Sequence, residues 1–156
     1  RIVPVDGAPV PCEGLNGSGT FMALNLALSL GGMDEGLFID HVDTDWSFRL
    51  LASGHRLYGV PEASFLHRMG DRTTRLWLFG WRVWPVRSPQ RHRYLFRNAV
   101  LLLQRSHVPR IWKTWAVVKL GLTIAVFALA GPQRLAQVGN MMAGAWDGLL
   151  GRSGAL

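Results

Sequence analysis

The chain of 156 residues is long enough for about one domain, and its 49% hydrophobic content is enough to bury a real core. Its single cysteine, Cys12, excludes an intrachain disulfide. The formal net charge of +7 is unevenly placed, because residues 1–67 carry a net charge of −5 and residues 68–113 a net charge of +10. The basic stretch predicts an anionic partner, which could be a phosphate-bearing substrate, a nucleic acid or an anionic lipid surface.

The first part of the chain predicts an alternation of strands and helices. The predicted elements, in order, are an extended segment at 1–14, a short helix within 23–36 that Gly31-Gly32 ends, a buried strand LFID at 37–40, a helix at 43–53 with Gly54 in the C′ position, and an extended segment at 55–69. The order strand, helix, strand predicts an α/β architecture. Because ligands bind beyond the carboxyl ends of strands in such sheets, Asp40 and Asp43 are placed at a predicted binding edge.

From about residue 72 the sequence becomes basic and rich in tryptophan. The spacing of Trp77, Trp81 and Trp84 predicts a helix over 73–87 with the three rings on one face. Ser88-Pro89 is a typical helix start, and further helices are predicted over 88–106, 109–130 and 132–150.

An apolar run at 115–130 is sixteen residues long and contains Lys119. A spanning helix needs about 20 apolar residues, so a core helix or a helix at a membrane interface is favoured over a membrane span. Tryptophans interleaved with arginines suit the headgroup boundary of a membrane, although they also suit an ordinary core.

The end of the predicted strand carries three carboxylates within six residues, on Asp40, Asp43 and Asp45. Asp43 could be the N-cap of the next helix, with Asp45 in its first turn, and capping would account for one or two of the three acids. An acid at a strand end that faces a cleft is also a candidate general base. Spacing alone leaves both interpretations open.

The run LFIDHVDTDWSFRLLASGHRLYGVPEASFLHRMGD at 37–71, together with SPQRHRYLFRN at 88–98, resembles the rhamnosyltransferase-like branch of the inverting family-two glycosyltransferases. The resemblance covers about residues 17–105. It implies a GT-A fold, in which an N-terminal half binds a nucleotide-sugar and a C-terminal half binds the acceptor. It also implies a divalent metal, Mg or Mn, held mainly by an Asp-x-Asp motif that this chain does not show before residue 37. Because the chain opens with RIVPVDG, we expect that the donor-binding half is missing.

The resemblance also implies roles for single residues. Asp43 would be the general base, Asp40, Asp45 and Trp46 would bind substrate, and His67 would help to bind the metal or the diphosphate. The helical positions Arg91, Tyr94, Arg97 and Asn98 would meet the diphosphate or the acceptor, since guanidinium groups suit phosphate oxygens. A solvated basic face is the alternative for these four, and a structural histidine is the alternative for His67.

The sequence therefore predicts the C-terminal part of a GT-A glycosyltransferase: an acceptor-side half at 1–71, followed by a basic, tryptophan-rich helical region at 72–156 that we expect to associate with a membrane. We expect transfer of a sugar, rhamnose from a dTDP donor, to a surface glycan or a lipid-linked acceptor, by a cytoplasmic protein bound peripherally to the inner face of the membrane. A basic nucleic-acid-binding module and a small membrane-anchored protein are the alternatives. The acidic cluster has no role in the nucleic-acid alternative, so we expect no nucleic-acid partner.

Overall fold

The computed structural model describes residues 7–63, 73–77 and 80–156, which form a mixed arrangement of helices and short strands. The elements in chain order are β1 (Val10–Cys12), α1 (Leu24–Ser29), a 3-10 turn (Glu35–Leu37), α2 (Val42–Ala52), β2 (Leu57–Gly59), β3 (Thr73–Trp77), β4 (Trp81–Pro85), α3 (Pro89–Gln104), α4 (Arg110–Leu129) and α5 (Arg134–Leu149). The described strands form two antiparallel pairs, β1 with β2 and β3 with β4. This composition is compatible with a piece of an α/β protein and does not by itself define a GT-A fold.

Helices α1 and α2 confirm the helices predicted within 23–36 and over 43–53. Gly54 follows the end of α2 with a φ of +87°, the left-handed conformation that a C′ glycine supplies at a helix end. Trp46 and Leu50 of α2 pack with Leu57 of β2 in a buried apolar cluster, which attaches the β1–β2 pair to this helix.

The buried strand predicted at 37–40 is wrong. Leu37 ends the 3-10 turn, and the residues after it form an irregular loop in which Phe38, Asp40 and His41 have positive φ angles. A left-handed backbone cannot continue a strand. Asp40 and Asp43 therefore lie at a strained loop and at a helix start, and none of the strands described in residues 7–63, 73–77 and 80–156 ends beside them.

The helix predicted over 73–87 is also wrong, because β3 and β4 form a β-hairpin there. Trp77 lies directly opposite Trp81 in the register. The two tryptophans and Val83 share the outward face and are exposed, whereas Trp84 points to the opposite face and its Nε1 donates to Thr123 Oγ1 at 3.4 Å. The three rings thus do not share one helical face.

Helices α3, α4 and α5 confirm the three predicted C-terminal helices, and α3 and α5 pack most closely. Ser88 caps α3, since its Oγ accepts from the backbone N–H of Arg91 at 3.2 Å. A Cβ atom added to Gly144 of α5 would lie 2.1 Å from the carbonyl oxygen of Arg93, and one added to Gly148 would lie 2.6 Å from that of Arg97. These glycines let the two backbones approach closely within one continuous helix, α5.

We expect Gly144→Ala to lower the free energy of unfolding by about 2 kcal/mol, because the methyl group would force α3 and α5 apart, a typical overpacking cost. Gly139 lies on the same helix with nothing within 4 Å of its added Cβ. Gly139→Ala should therefore stabilise by about 0.5–1 kcal/mol through helix propensity. Urea unfolding of both variants measures the difference, and equal effects at the two sites would contradict this packing.

Helix α4 lies at the periphery. Of its 20 residues only Thr123, Val126 and Phe127 are buried, so the core-helix interpretation does not fit most of its length. Its exposed apolar side chains include a stripe at helical spacing, formed by Ile111, Trp115, Val118, Leu122 and Leu129. By length and composition alone α4 could cross a membrane, and an interfacial position satisfies the same pattern.

Candidate active site

The loop between the 3-10 turn and α2 carries the first candidate acid and is held by one buried amide. Asn98 of α3 is fully buried, and its Nδ2 donates to the carbonyl oxygens of Leu37, Ile39 and Asp40 at 2.7, 2.7 and 3.0 Å. Left-handed conformations of non-glycine residues are costly and persist where the surroundings determine them. The strained loop is therefore fixed by a side chain that lies 58 residues further along the chain from Asp40.

Arg97 and Tyr94, predicted to bind substrate, are buried structural side chains in this arrangement. Arg97 is 0% exposed and donates to the carbonyl oxygens of Gly36, Leu37 and Gly154. Tyr94 stacks beneath its guanidinium group, and the phenolic oxygen of Tyr94 accepts from the backbone N–H of Leu156. The solvated-face alternative is wrong for Tyr94, Arg97 and Asn98, because all three side chains are buried. Arg97 and Asn98 both tie the loop to α3. A role of either side chain toward a substrate stays a prediction.

Arg91 contacts the candidate acid Asp40 directly. Its Nε and one terminal nitrogen donate to the two carboxylate oxygens of Asp40 at 3.1 and 3.2 Å. This bidentate pairing suits the planar guanidinium group. The sequence places the two residues 51 positions apart, so only the fold shows that they meet.

Asp43, the predicted general base, is the second residue of α2. The N-cap is His41, in a left-handed conformation and without a capping hydrogen bond, so the prediction that Asp43 is the N-cap is wrong. Asp43 is half-buried, and one of its carboxylate oxygens accepts from the backbone N–H of Gly17 at 3.2 Å. Its other oxygen accepts from the N–H of Thr44 at 2.9 Å. Both partners are backbone amides, so no cation neutralises this carboxylate among the hydrogen bonds described.

Asp45 is a fully buried carboxylate that accepts hydrogen bonds from two arginines and a histidine. It accepts from Arg49 Nε at 2.8 Å, from Arg105 at 2.6 Å and from His107 Nε2 at 2.8 Å. Burial raises the pKa of the Asp45 carboxyl, but hydrogen bonds from Arg105, His107 and Arg49 outweigh burial and hold that pKa below its usual value. Arg49 also donates to the carbonyl oxygens of Leu30 and Gly32, so the cluster joins α1 to α2.

The segment Asp43-Thr44-Asp45 matches the sequence of a metal-binding Asp-x-Asp motif but not its geometry. Asp43 faces the segment at 15–20, whereas both oxygens of Asp45 are taken by Arg49, Arg105 and His107. Over residues 7–63, 73–77 and 80–156 no cluster of three His, Cys, Asp or Glu side chains could hold a metal. His67, the predicted metal ligand, lies outside the described residues, so the predicted metal site stays a prediction.

Trp46, predicted to bind substrate, is 2% exposed and belongs to the apolar cluster under α2. The guanidinium carbon of Arg49 lies 5.0 Å from the centre of its ring. Its Nε1 has no hydrogen-bond partner in the described part of the chain. In this arrangement Trp46 supports the helix that carries Asp43, and any substrate contact stays a prediction.

A cavity of about 640 Å³ that no sequence motif identified lies between β4, α3 and α4. Trp84 and Trp112 are among its lining residues, as is His41 from the strained loop, whose ring packs edge-on against Trp112 at 5.7 Å. Burial lowers the pKa of His41 to about 4, so its ring is neutral near pH 7. The tryptophans between residues 77 and 115 were the signal for this cavity in the sequence. The helix predicted over 73–87 did not place these rings around a cavity.

A second cavity, of about 670 Å³, opens beside the first turn of α2. Thr44 and Ser47 line it, and Ser47 Oγ donates to the Asp43 carbonyl oxygen at 2.7 Å. This cavity therefore adjoins the turn that carries the candidate base, and it is large enough for a small organic ligand.

No family model matches this sequence, and no solved structure matches it. A segment of 101 residues is 39% identical to "dTDP-rhamnosyl transferase RfbF" of Shigella flexneri. That segment is 65% of this chain and 33% of the relative, so the chain spans about a third of the relative's length. The likeness supports a rhamnosyltransferase-like glycosyltransferase in general terms.

Proposed function

We propose that this chain is the acceptor-side part of an inverting glycosyltransferase that uses a dTDP-sugar, with rhamnose as the expected sugar, and an acceptor hydroxyl on a surface glycan or glycolipid. The observation that carries the proposal is the 39% identity to a dTDP-rhamnosyl transferase over 101 residues. The first turn of α2 supplies the local support, since it presents one half-buried carboxylate, on Asp43, without a cationic partner among its described hydrogen bonds.

The proposed chemistry needs one base. The acceptor hydroxyl loses its proton to Asp43 as its oxygen attacks C1 of the sugar, the bond from C1 to the diphosphate oxygen breaks, and the nucleoside diphosphate leaves. The sugar is then bonded to the acceptor oxygen with inverted stereochemistry at C1. Backbone N–H donors from Gly17 and Thr44 orient the Asp43 carboxylate. The cavity beside Thr44 and Ser47 gives the acceptor a place next to that turn.

The diphosphate needs its own binding groups, and we propose that a divalent metal, Mg or Mn, and an Asp-x-Asp motif outside this chain provide them. Asp40, Asp45 and Trp46 would then act by shaping the acceptor side. We also propose a cytoplasmic protein bound to the inner face of the membrane, with helix α4 and the hairpin as its contact surface. The exposed apolar stripe of α4 supports contact with a membrane.

Calorimetry with dTDP-rhamnose and Mn²⁺ tests the proposal. We expect micromolar binding by the full-length protein, and no measurable binding by the 156-residue chain, because the proposed diphosphate site lies elsewhere. UDP-glucose serves as the matched donor control and should bind at least tenfold more weakly. Failure of the full-length protein to bind any dTDP-sugar would overturn the proposed function, and micromolar binding by the isolated chain would overturn the proposed division of the two sites.

A further inference from the structure

The cavity between β4, α3 and α4 has a charge that the proposed sugar transfer does not use. Arg87 and Lys119 line it, and neither side chain has a hydrogen-bond or ion-pair partner in the part of the chain that the structure describes. No carboxylate is among its described lining residues, and burial lowers the pKa of both lining histidines, His41 and His92. At neutral pH the described lining of the cavity therefore carries two positive charges and no negative one.

Indole rings form much of the remaining wall. Trp84 and Trp112 are partly buried, whereas Trp81 and Trp115 are 74% and 68% exposed and lie at the mouth. Trp115 belongs to the apolar stripe of α4, and Trp81 belongs to the outward face of the hairpin. The cavity thus opens onto apolar surface from two elements, an arrangement that fits a ligand with both an anionic and an apolar part.

We propose that this cavity binds an anionic phospholipid of the bilayer, with the lipid phosphate between Arg87 and Lys119. The guanidinium group and the ammonium group both donate to phosphate oxygens. The indoles would contact the glycerol backbone and the first acyl carbons, since tryptophan favours the membrane–water interface. A volume of about 640 Å³ accommodates a headgroup and the start of two chains.

The proposal differs from diffuse attraction between a basic protein and a membrane. Diffuse attraction depends on the summed charge near the surface and falls within a Debye length. Binding at a defined site depends on Arg87 and Lys119 and persists when other cationic side chains are removed. It is also independent of the sugar donor and of Asp43, so it can fail while the proposed function holds.

The chain offers a matched control on the same helix. Arg110 is exposed, does not line the cavity and lies nine residues before Lys119, which places it on the opposite side of α4. Lys119→Gln, Arg87→Gln and Arg110→Gln each remove one positive charge. Because Arg87 and Lys119 have no described partner, their replacement leaves no buried group unpaired, and Lys119→Arg restores the charge.

Sedimentation of the full-length protein with vesicles of phosphatidylglycerol and phosphatidylcholine at 0.15 M salt measures the site. We expect the Arg87→Gln/Lys119→Gln double variant to bind about tenfold more weakly, Arg110→Gln to stay within twofold of the parent, and Lys119→Arg to bind like the parent. A loss at Arg110 as large as at Lys119 would show diffuse attraction and overturn the proposal. Equal binding of the double variant and the parent would overturn it as well.

Tryptophan fluorescence separates the source of the phosphate. Short-chain phosphatidylglycerol below its micelle concentration should change the indole emission of the parent and not of the double variant, while inorganic phosphate at the same concentration should change neither. An equal response to inorganic phosphate would point to a free-anion site and overturn the lipid assignment. A single-stranded oligonucleotide that displaces the lipid at lower concentration than phosphatidylglycerol would overturn it in favour of nucleic acid.

Discussion

In the full-length protein, Asp43→Asn should lower kcat for sugar transfer by about 10²–10⁴, the usual cost of losing a general base. The amide keeps the size of the side chain, and its oxygen still accepts from the N–H of Gly17. It cannot take a proton near neutral pH, so the acceptor oxygen stays a weak nucleophile. Donor binding should be unchanged, because the proposed diphosphate site lies elsewhere.

Steady-state kinetics and a thermal melt of the same preparation decide this prediction. The melt should shift little, since a carboxylate near a helix N-terminus contributes only about 0.3–1 kcal/mol. A fully active Asp43→Asn enzyme would show that the base is another residue. A variant that loses activity only in proportion to its unfolding would show that Asp43 is structural.

Asp45→Asn should lower the free energy of unfolding by about 3 kcal/mol and should affect kcat less than Asp43→Asn does. Removing one partner of a buried ion pair leaves uncompensated charge, at a general cost of about 3–5 kcal/mol, and we take the lower end because Arg49 and Arg105 are partly exposed. Urea unfolding at pH 7 measures the loss. A change below about 0.5 kcal/mol, which is typical of an exposed pair, would contradict the buried cluster.

The same carboxylate gives a pH dependence. Its pKa is lower in the folded protein than the usual value of about 3.9, so its stabilisation is complete above about pH 4 and is lost as the pH falls through the folded pKa. The parent should therefore lose stability more steeply than Asp45→Asn does as the pH falls below about 4. Asp147, whose pKa the hydrogen bonds from Arg93 and Arg152 also lower against the effect of burial, contributes to both proteins alike.

The sequence could predict the helices because their signals are local. Ser88-Pro89 before α3, Gly54 after α2 and the apolar spacing of α4 each act within a few residues. The hairpin was missed because tryptophans at i, i+4 and i+7 satisfy the helical period, although Trp77 and Trp81 pair directly across the two strands and Gly80, just before Trp81, has a φ of +128°. Gly80 and the β-prone Thr, Val and Trp residues were the signals that favoured strands.

The site was harder to predict because its contacts join residues that are far apart in the sequence. Asp40, Asp43 and Asp45 are close together in the motif, but their surroundings differ. The surroundings depend on partner residues that the motif does not identify. Arg91 pairs with Asp40, Arg105 and His107 pair with Asp45, and only Asp43 keeps backbone partners. A local pattern of three acids could not show which of them is free to act as a base.

The three hydrogen bonds from Asn98 have a consequence for local unfolding. The loop at 38–41 has no regular structure, yet its conformation depends on a side chain within the buried part of α3. Irregular loops usually open on their own, ahead of the helices around them. Because Asn98 holds this loop, we expect the loop and the middle of α3 to open together, and the geometry in front of Asp43 to survive fluctuations that do not open this helix.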